Sequence, residues 1–358
     1  MHQHGPAAPP VSFGLALPET LSWERLQPMA SRLDAVPGLS SLWVFDERFG
    51  RDPWVTLGIL GALTDRLRLG TCVTDAFIRH PALTGAAIAT LAEATQGRAV
   101  LGLGAGVSGF RALGIVRQAP ATALREAIGF LRALWASPGD FEFEGRAFSF
   151  SAARLHFAPV ARVPIMIAGR GPRILRLAGE LADEVLVATF TDGPLLDHSL
   201  ERLAEGVAAR PPELGPLVRG AWVYASVDDD REAARAAVRE GIAVALWGSR
   251  PILEELGIAL PDDLRQLMDA TAYAHTPEVI GRAARLIPDE LVDVCSIAGT
   301  PQECRERFGR LAARGFEHIA VWPFAPEGRP VEGVIERLVN DIIPAVADAA
   351  GSPGRSGQ

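Results

Sequence analysis

The chain has no lysine: all 35 of its basic side chains are arginines. Without a side-chain primary amine it cannot form a Schiff base, and without the P-loop lysine it lacks the point charge that reaches nucleotide phosphates. Pyridoxal enzymes, lysine-dependent aldolases and the common nucleoside triphosphatases are thereby excluded. Cysteine is scarce too, and Cys72, Cys295 and Cys304 form neither a CxxC pair nor an even set. That argues for buried free thiols over a disulfide framework. The seven histidines are dispersed, with no HExxH and no HxH at a strand end, so zinc hydrolase chemistry lacks its ligands and no metal is expected. No basic block accompanies the net charge of −8, which speaks against a nucleic-acid partner. There is no apolar run of the roughly 18 residues that cross a membrane, and the start, MHQHGPAAPP, has neither the cationic nor the apolar part of a secretory signal. A cytoplasmic protein acting on a small molecule is the expectation.

What the sequence does hold is a long alternation of strand and helix signals. With 48% hydrophobic residues over 358 positions, it can bury one large core. Strands are expected at VSFGLALPE, SSLWVFDERFG, RLGTCVTD, RAVLGLGAG, VPIMIAG, DEVLVATF, VRGAWVYASV and FEHIAVWPF, with amphipathic helices between them, the first with Ser22 at its N-cap. A hairpin, FEFEGRAFSFSAARLHF, interrupts the fourth and fifth units, and a helical insertion reaches to about residue 290. Eight such units predict a parallel (β/α)8 TIM barrel over residues 11–350, with flexible ends at 1–10 and 351–358. GAGVSG, residues 104–109, fits GxGxxG, but no long helix opens at its third glycine, as a dinucleotide fold would require.

Polar residues gather after the predicted strands. Asp46 and Glu47 follow the second, and Asp75, Arg79 and His80 the third; Gly104, Gly106 and Ser108 follow the fourth, and Gly169, Arg170 and Gly171 the fifth. In a barrel these positions converge on one mouth. GRGPRILRLAGE adds a physical reason of its own, because Pro172 suits a first helical position and Gly171 and Arg173 would offer backbone N–H groups to an anion. Arg170, Arg173 and Arg176 could add charge there, or lie solvated on the barrel's exterior. The aromatics Trp43, Phe45, Trp54, Phe77, Phe110, Phe190 and Trp322 are candidates for an apolar pocket.

The stretch RLGTCVTDAFIRHP, together with GRGPRILRLAGELADE, FEGRAF and AGTPQECRERFGRLAARGFEHIAVWPF, resembles the luciferase-like flavin and deazaflavin oxidoreductases, in particular the coenzyme F420-dependent methylenetetrahydromethanopterin reductase-like branch. The resemblance implies a non-prolyl cis peptide between Cys72 and Val73, and a coenzyme lined by Asp46, Cys72, Val73, Thr74, Asp75, Gly104, Ala105, Gly106, Gly169, Arg170 and Gly171; Arg79 and His80, polar groups of the same loop with little packing reason to be there, are further candidates to bind it. The resemblance implies a homodimer as well. Relatives use F420 or FMN, and the RHP ending with the glycine-rich exit of strand four favours F420.

Four positions depart from the resemblance. Asp46-Glu47 stands where many relatives have Asp-His, Ala16 where methanopterin reductases have an acidic residue, Ser108 where Asp is common, and Glu184 where glycine is usual. The sequence reading is thus an F420-dependent oxidoreductase that transfers a hydride to or from a small organic substrate, with Glu47 and Asp46 handling the proton. An FMN-dependent luciferase-like monooxygenase and a non-catalytic coenzyme-binding barrel are the alternatives.

Overall fold

The computed structural model describes residues 11–351 except 48, 107–109, 111, 160–161 and 272–275. The terminal segments 1–10 and 352–358, Arg48, Ser108 and His275 therefore lie outside the described residues. The strands are β1 (Ser12–Ala16), β2 (Leu39–Val44), β3 (Arg68–Thr71), β4 (Ala99–Leu103), β5 (Phe141–Glu144), β6 (Ser149–Ala153), β7 (Ile165–Gly169), β8 (Glu184–Ala188), β9 (Val218–Val227), β10 (Ser296–Gly299) and β11 (His318–Pro323). The helices are α1 (Trp23–Asp34), α2 (Pro53–Leu63), α3 (Pro81–Ala94), α4 (Pro120–Ala136), α5 (Pro172–Leu181), α6 (Gly193–Ala208), α7 (Arg231–Ala237), α8 (Arg239–Glu255), α9 (Asp262–Thr271), α10 (Pro277–Leu286), α11 (Asp289–Cys295), α12 (Pro301–Ala313), α13 (Val331–Arg337) and α14 (Ile343–Gly351). Gly351, expected in the flexible tail, ends α14.

Strands β1, β2, β3, β4, β7, β8, β9 and β11 pair in that order, all parallel, and β11 returns to β1. This is the closed eight-stranded barrel that the alternation of elements predicts. Strand β10 was not expected. It is four residues long and pairs with the last four of β9, beyond the part of β9 that pairs with β8. So short a run, directly after α11, gives no period by which to tell it from the helical insertion. The β5–β6 hairpin forms where expected and packs on α4, with Phe130 and Phe150 stacked at 3.7 Å between ring centroids.

Helix starts follow the local chemistry. Proline holds the first position of α2, α3, α4 and α5, where its fixed φ helps and its missing N–H costs nothing. Asp52 caps α2 by accepting from Trp54 N and Val55 N at 2.9 Å each. Ser22 does stand at the N-cap of α1, but its hydroxyl makes no capping bond.

Inside the barrel, Trp43 is almost fully buried, and its ring lies against a glycine of each flanking strand. A Cβ on Gly14 would lie 2.3 Å from the indole nitrogen, and one on Gly70 would lie 2.6 Å from the ring. Trp43 is therefore core below the mouth, and Phe190, two residues beyond the end of β8, is buried as well. At the amino-terminal floor His318 meets Ser12 Oγ at 2.9 Å and Ser41 Oγ at 3.2 Å. Beside it Arg68 and Glu184 form an ion pair, which supplies the partner for an acidic residue at a position where the resemblance leads one to expect glycine.

Candidate active site

The chain leaving β3 does not turn away at once. Cys72 N donates to Val44 O at 2.8 Å, Thr74 N to Gly102 O at 3.0 Å, and Gly104 N to Thr74 O at 2.9 Å, so residues 72–74 stay laddered between the ends of β2 and β4. The Cys72–Val73 peptide is cis, as the resemblance implies, and a second non-prolyl cis bond, Ala188–Thr189, follows β8. Half-buried Val73 leans on Gly104, where a Cβ would come within 2.5 Å of the valine methyl. Asp46 is half-buried at the end of β2, and its Oδ2 accepts the Thr74 hydroxyl at 2.5 Å.

The rest of the loop divides the expected residues by role. Asp75 is 2% exposed, and its Oδ1 accepts from Phe77 N at 2.7 Å and Ile78 N at 3.0 Å, closing the turn ahead of α3. Gly106, half-buried like Ala105, takes φ of +62°, and a Cβ there would stand 3.0 Å from Asp75 Oδ2. The Arg79 guanidinium lies 5.5 Å from the centre of the Trp54 ring, and its Nε is buried with no hydrogen-bond partner. His80 is exposed. Its ring accepts from Ala82 N at 3.4 Å and packs edge-on against Phe150 at 4.7 Å, so it caps α3 and joins the hairpin instead of facing Asp46.

After β7, Gly169, Arg170 and Gly171 are half-buried. Gly169 is tight, with a Cβ 2.5 Å from the Ile174 side chain, whereas a Cβ on Gly171 would meet open space. No side chain caps α5; Pro172 has no N–H, and Ile174 N and Leu175 N both donate to Gly171 O at 3.0 Å, so in the first turn it is the Arg173 N–H that is left beside that space. The arginines are less available than expected. Arg170 donates to Ala245 O of α8 at 2.7 Å, Arg176 pairs with Glu205 on the exterior, and Arg173 is exposed. The cradle is made chiefly of backbone.

Across the mouth stands a wall of aromatic rings. Phe45 lies 4.5 Å from Trp322 and 5.9 Å from Trp222; Tyr224 lies 5.4 Å from both Trp322 and Phe324. Only Phe45 and Trp322 were expected there. The alternation in GAWVYASV puts Trp222 and Tyr224 on one face of β9, a signal that could have found them. Helix α8 closes over this side, with Gly241 so near Phe324 that a Cβ would sit 2.6 Å from its ring.

The sequence profile of the luciferase-like monooxygenase family matches residues 9–318. The chain belongs to this family. Within it, the chain is 33% identical over 309 residues to the 5,10-methylenetetrahydromethanopterin reductase of Archaeoglobus fulgidus, covering 86% of this chain and 91% of that one. It is 30% identical over 306 residues to the phthiodiolone/phenolphthiodiolone dimycocerosates ketoreductase of Mycobacterium tuberculosis, covering 82% and 78%. The solved structure of the coenzyme F420-dependent tetrahydromethanopterin reductase from Methanopyrus kandleri superposes with a TM-score of 0.76 at 25% identity, covering 94% of this chain and 99% of that one.

Within this luciferase-like barrel the residues present suit an anionic, phosphate-bearing coenzyme: a helix N-terminus without a cap, space for a ligand where Gly171 has no side chain, and an arginine nitrogen left without a partner. The carboxylates divide by depth. Glu47, expected among apolar groups, is exposed. It stands close enough to Glu19, after β1, to act on it: burial first and the Glu47 charge second raise the Glu19 carboxyl above its ordinary range, against Arg51. Glu19, the last residue of VSFGLALPE, was not singled out in the sequence, although it follows β1 as Asp46 and Glu47 follow β2. All three thiols are buried and free. Burial pushes Cys72 well above the usual thiol value and holds Cys295 and Cys304 at about 12, so none is a thiolate nucleophile at neutral pH.

Proposed function

We propose that this chain is a coenzyme F420-dependent oxidoreductase that moves a hydride between the deazaflavin and a small organic molecule, working as a cytoplasmic homodimer. The observation that carries the reading is the uncapped start of α5, with Gly171 opening onto the same mouth as Asp46 and Thr74. Relatives whose names specify methylenetetrahydromethanopterin reduction, and a neighbour described as F420-dependent, support it.

When bound, the deazaflavin supplies a carbon that gives or takes a hydride. The protein's own residues do the rest. The backbone N–H groups of Gly171 and Arg173 at the start of α5 hold the coenzyme phosphate, and Arg79, already stacked on Trp54, directs its free Nε to an acceptor on the coenzyme. Residues 72–74 back the ring system, with Val73 kept in place against Gly104. Ala105, Gly106 and Gly169 shape the cradle's walls, and Asp75 fixes the turn that carries Arg79. Asp46, steadied by Thr74, exchanges the proton, and exposed Glu47 beside Glu19 passes it to water.

The dimer reading rests on α2 and α3. Helix α2 carries no charged side chain and α3 only Glu93, yet Val55 is 61% and Leu83 57% exposed on their outer faces. An uncharged outer face on two adjacent helices is suited to a second copy of the same chain. The three buried free thiols fit a reducing compartment. Titration with F420 and with FMN, followed by fluorescence, tests the coenzyme. Saturable binding of F420 at lower concentration than FMN supports the proposal, and tight FMN binding without F420 binding overturns it. Sedimentation tests the assembly, with Leu83→Glu expected to yield monomer.

A further inference from the structure

Arg170 joins two parts of the molecule that lie 75 residues apart in the chain. Its backbone sits between Gly169 and Gly171 in the coenzyme cradle, but its side chain leaves the cradle for α8, where Nη1 donates to Ala245 O at 2.7 Å. On the way the stem passes Gly248, at which a Cβ would lie 3.9 Å from both Cδ and Nη1 of the arginine. The same Ala245 carbonyl accepts the Ser249 hydroxyl at 2.9 Å. Burial raises the Cys295 thiol and the Arg170 charge opposes it, so the guanidinium stands near the end of α11 too. The arginines of α8 itself turn the other way. Arg239 pairs with Asp289 and Arg250 with Asp269, which binds the helix to α11 and α9 within the insertion. The positions of α8 that meet the mouth lie along one stripe: Gly241, Ala245 and Gly248 are spaced i, i+4, i+7. Gly241 abuts Phe324 of the aromatic wall, and Ala245 and Gly248 receive Arg170. One helix face thus touches the wall and the cradle together.

We infer that Arg170 is a positioning residue, a strut through which an occupied coenzyme cradle steadies α8 over the aromatic side of the mouth. The inference rests on the F420 reading above and assigns Arg170 a task that the reading leaves open. In that reading the phosphate is held by the backbone N–H groups of Gly171 and Arg173, so filling the cradle fixes the chain on which the strut stands. The far end of the strut is a planar, directional donor on a helix carbonyl. Order gained at residues 169–171 is therefore passed to Ala245, and along the stripe to Gly241 and Phe324. Linkage makes the effect reciprocal: whatever steadies α8 also tightens the cradle. The wall side of the mouth is completed only once the cradle is filled.

The test is hydrogen–deuterium exchange on the full chain, followed in peptides covering α8 with and without saturating F420, whose dissociation constant is measured separately by fluorescence. F420 should slow exchange in α8 by at least about threefold in the parent chain. Arg170→Met keeps the stem and removes the donor. It should bind F420 within about threefold of the parent, because backbone groups hold the phosphate, yet lose the slowing in α8. Arg170→Lys restores a donor on a shorter stem and should recover part of it. Circular dichroism confirms that each variant folds; should Arg170→Met not fold, a smaller slowing in Arg170→Lys than in the parent carries the test. A strut that merely supports the fold would quicken exchange in α8 equally with and without F420 and leave the slowing intact. That result overturns the inference, as does an α8 indifferent to F420 in the parent. Loss of F420 affinity beyond about tenfold in Arg170→Met overturns it too, by making Arg170 a direct ligand of the coenzyme. Absence of F420 binding to the parent removes the coenzyme reading and this inference with it.

Discussion

Arg68 and Glu184 meet across the amino-terminal end of the barrel, with Arg68 Nη1 donating to Glu184 Oε2 at 3.2 Å, although β3 and β8 are separated in the ring by β4 and β7. The Arg68 side chain keeps 35% of its exposure and that of Glu184 11%. Removing the acid leaves a cation that can still reach water, so the loss should fall below the several kcal/mol of a fully buried pair. Glu184→Gly is expected to destabilise the fold by roughly 1–2 kcal/mol in urea unfolding. Arg68→Met added to that variant should recover at least half of the loss. A double variant less stable than the single would show that Arg68 has a second role at the floor.

His318 sets an acid limit on the same floor. Burial first, and the Arg68 charge second, push its imidazole from 6.5 down to about 3. Between those values the unfolded chain binds a proton that the folded chain does not, so stability falls as pH drops below about 6.5. The expected slope is about 1.4 kcal/mol per pH unit from pH 6 downward, before carboxylates begin to titrate. His318→Gln should flatten that part of the stability–pH curve, whatever it does to stability at pH 7. An unchanged slope would move the dependence to another group.

The barrel was legible because its signals are local: hydrophobic runs, prolines at first helical positions and glycines at helix ends. What escaped the sequence reading depended on distance along the chain or on shortness. Arg170 looked available for an anion, but its acceptor, Ala245 O, belongs to an insertion 75 residues away. Glu184 looked unexplained for the same reason, its partner Arg68 being 116 residues distant. His80 is a different case. It immediately precedes Pro81 at the first position of α3, so its place as an N-cap could have been read from the sequence, where its polar side chain suggested a ligand instead.

Arg79 offers a direct test of the coenzyme cradle. Its stack on Trp54 and its unpartnered Nε indicate a side chain positioned at little gain to the fold. Arg79→Ala should weaken F420 binding by roughly tenfold or more, the worth of a charge-assisted hydrogen bond, while the melting temperature falls by no more than about 2 °C. Arg79→Lys should recover only part of the affinity, because an ammonium lacks the planar fork. Unchanged affinity in Arg79→Ala would assign the residue to loop packing against Trp54.

Proton exchange can be apportioned between neighbouring carboxylates whose surroundings differ. Asp46 is half-buried and tied to Thr74, whereas Glu47 is exposed next to Glu19. A positioned carboxylate inside the mouth has no substitute when it is lost, but water can replace an exposed one. Asp46→Asn is therefore expected to lower kcat by about 10²–10⁴-fold, the usual contribution of general acid–base catalysis, and to remove one limb of the pH–rate profile. Glu47→Gln should cost less than about tenfold and keep both limbs. F420 affinity, measured for each variant, separates a lost proton group from a damaged cradle: the assignment requires Asp46→Asn to bind the coenzyme nearly as well as the parent. If Glu47→Gln instead suffers the larger loss and the altered profile, the exchanging group is Glu47, as the sequence suggested, and Asp46 serves to position Thr74 and the chain that follows it.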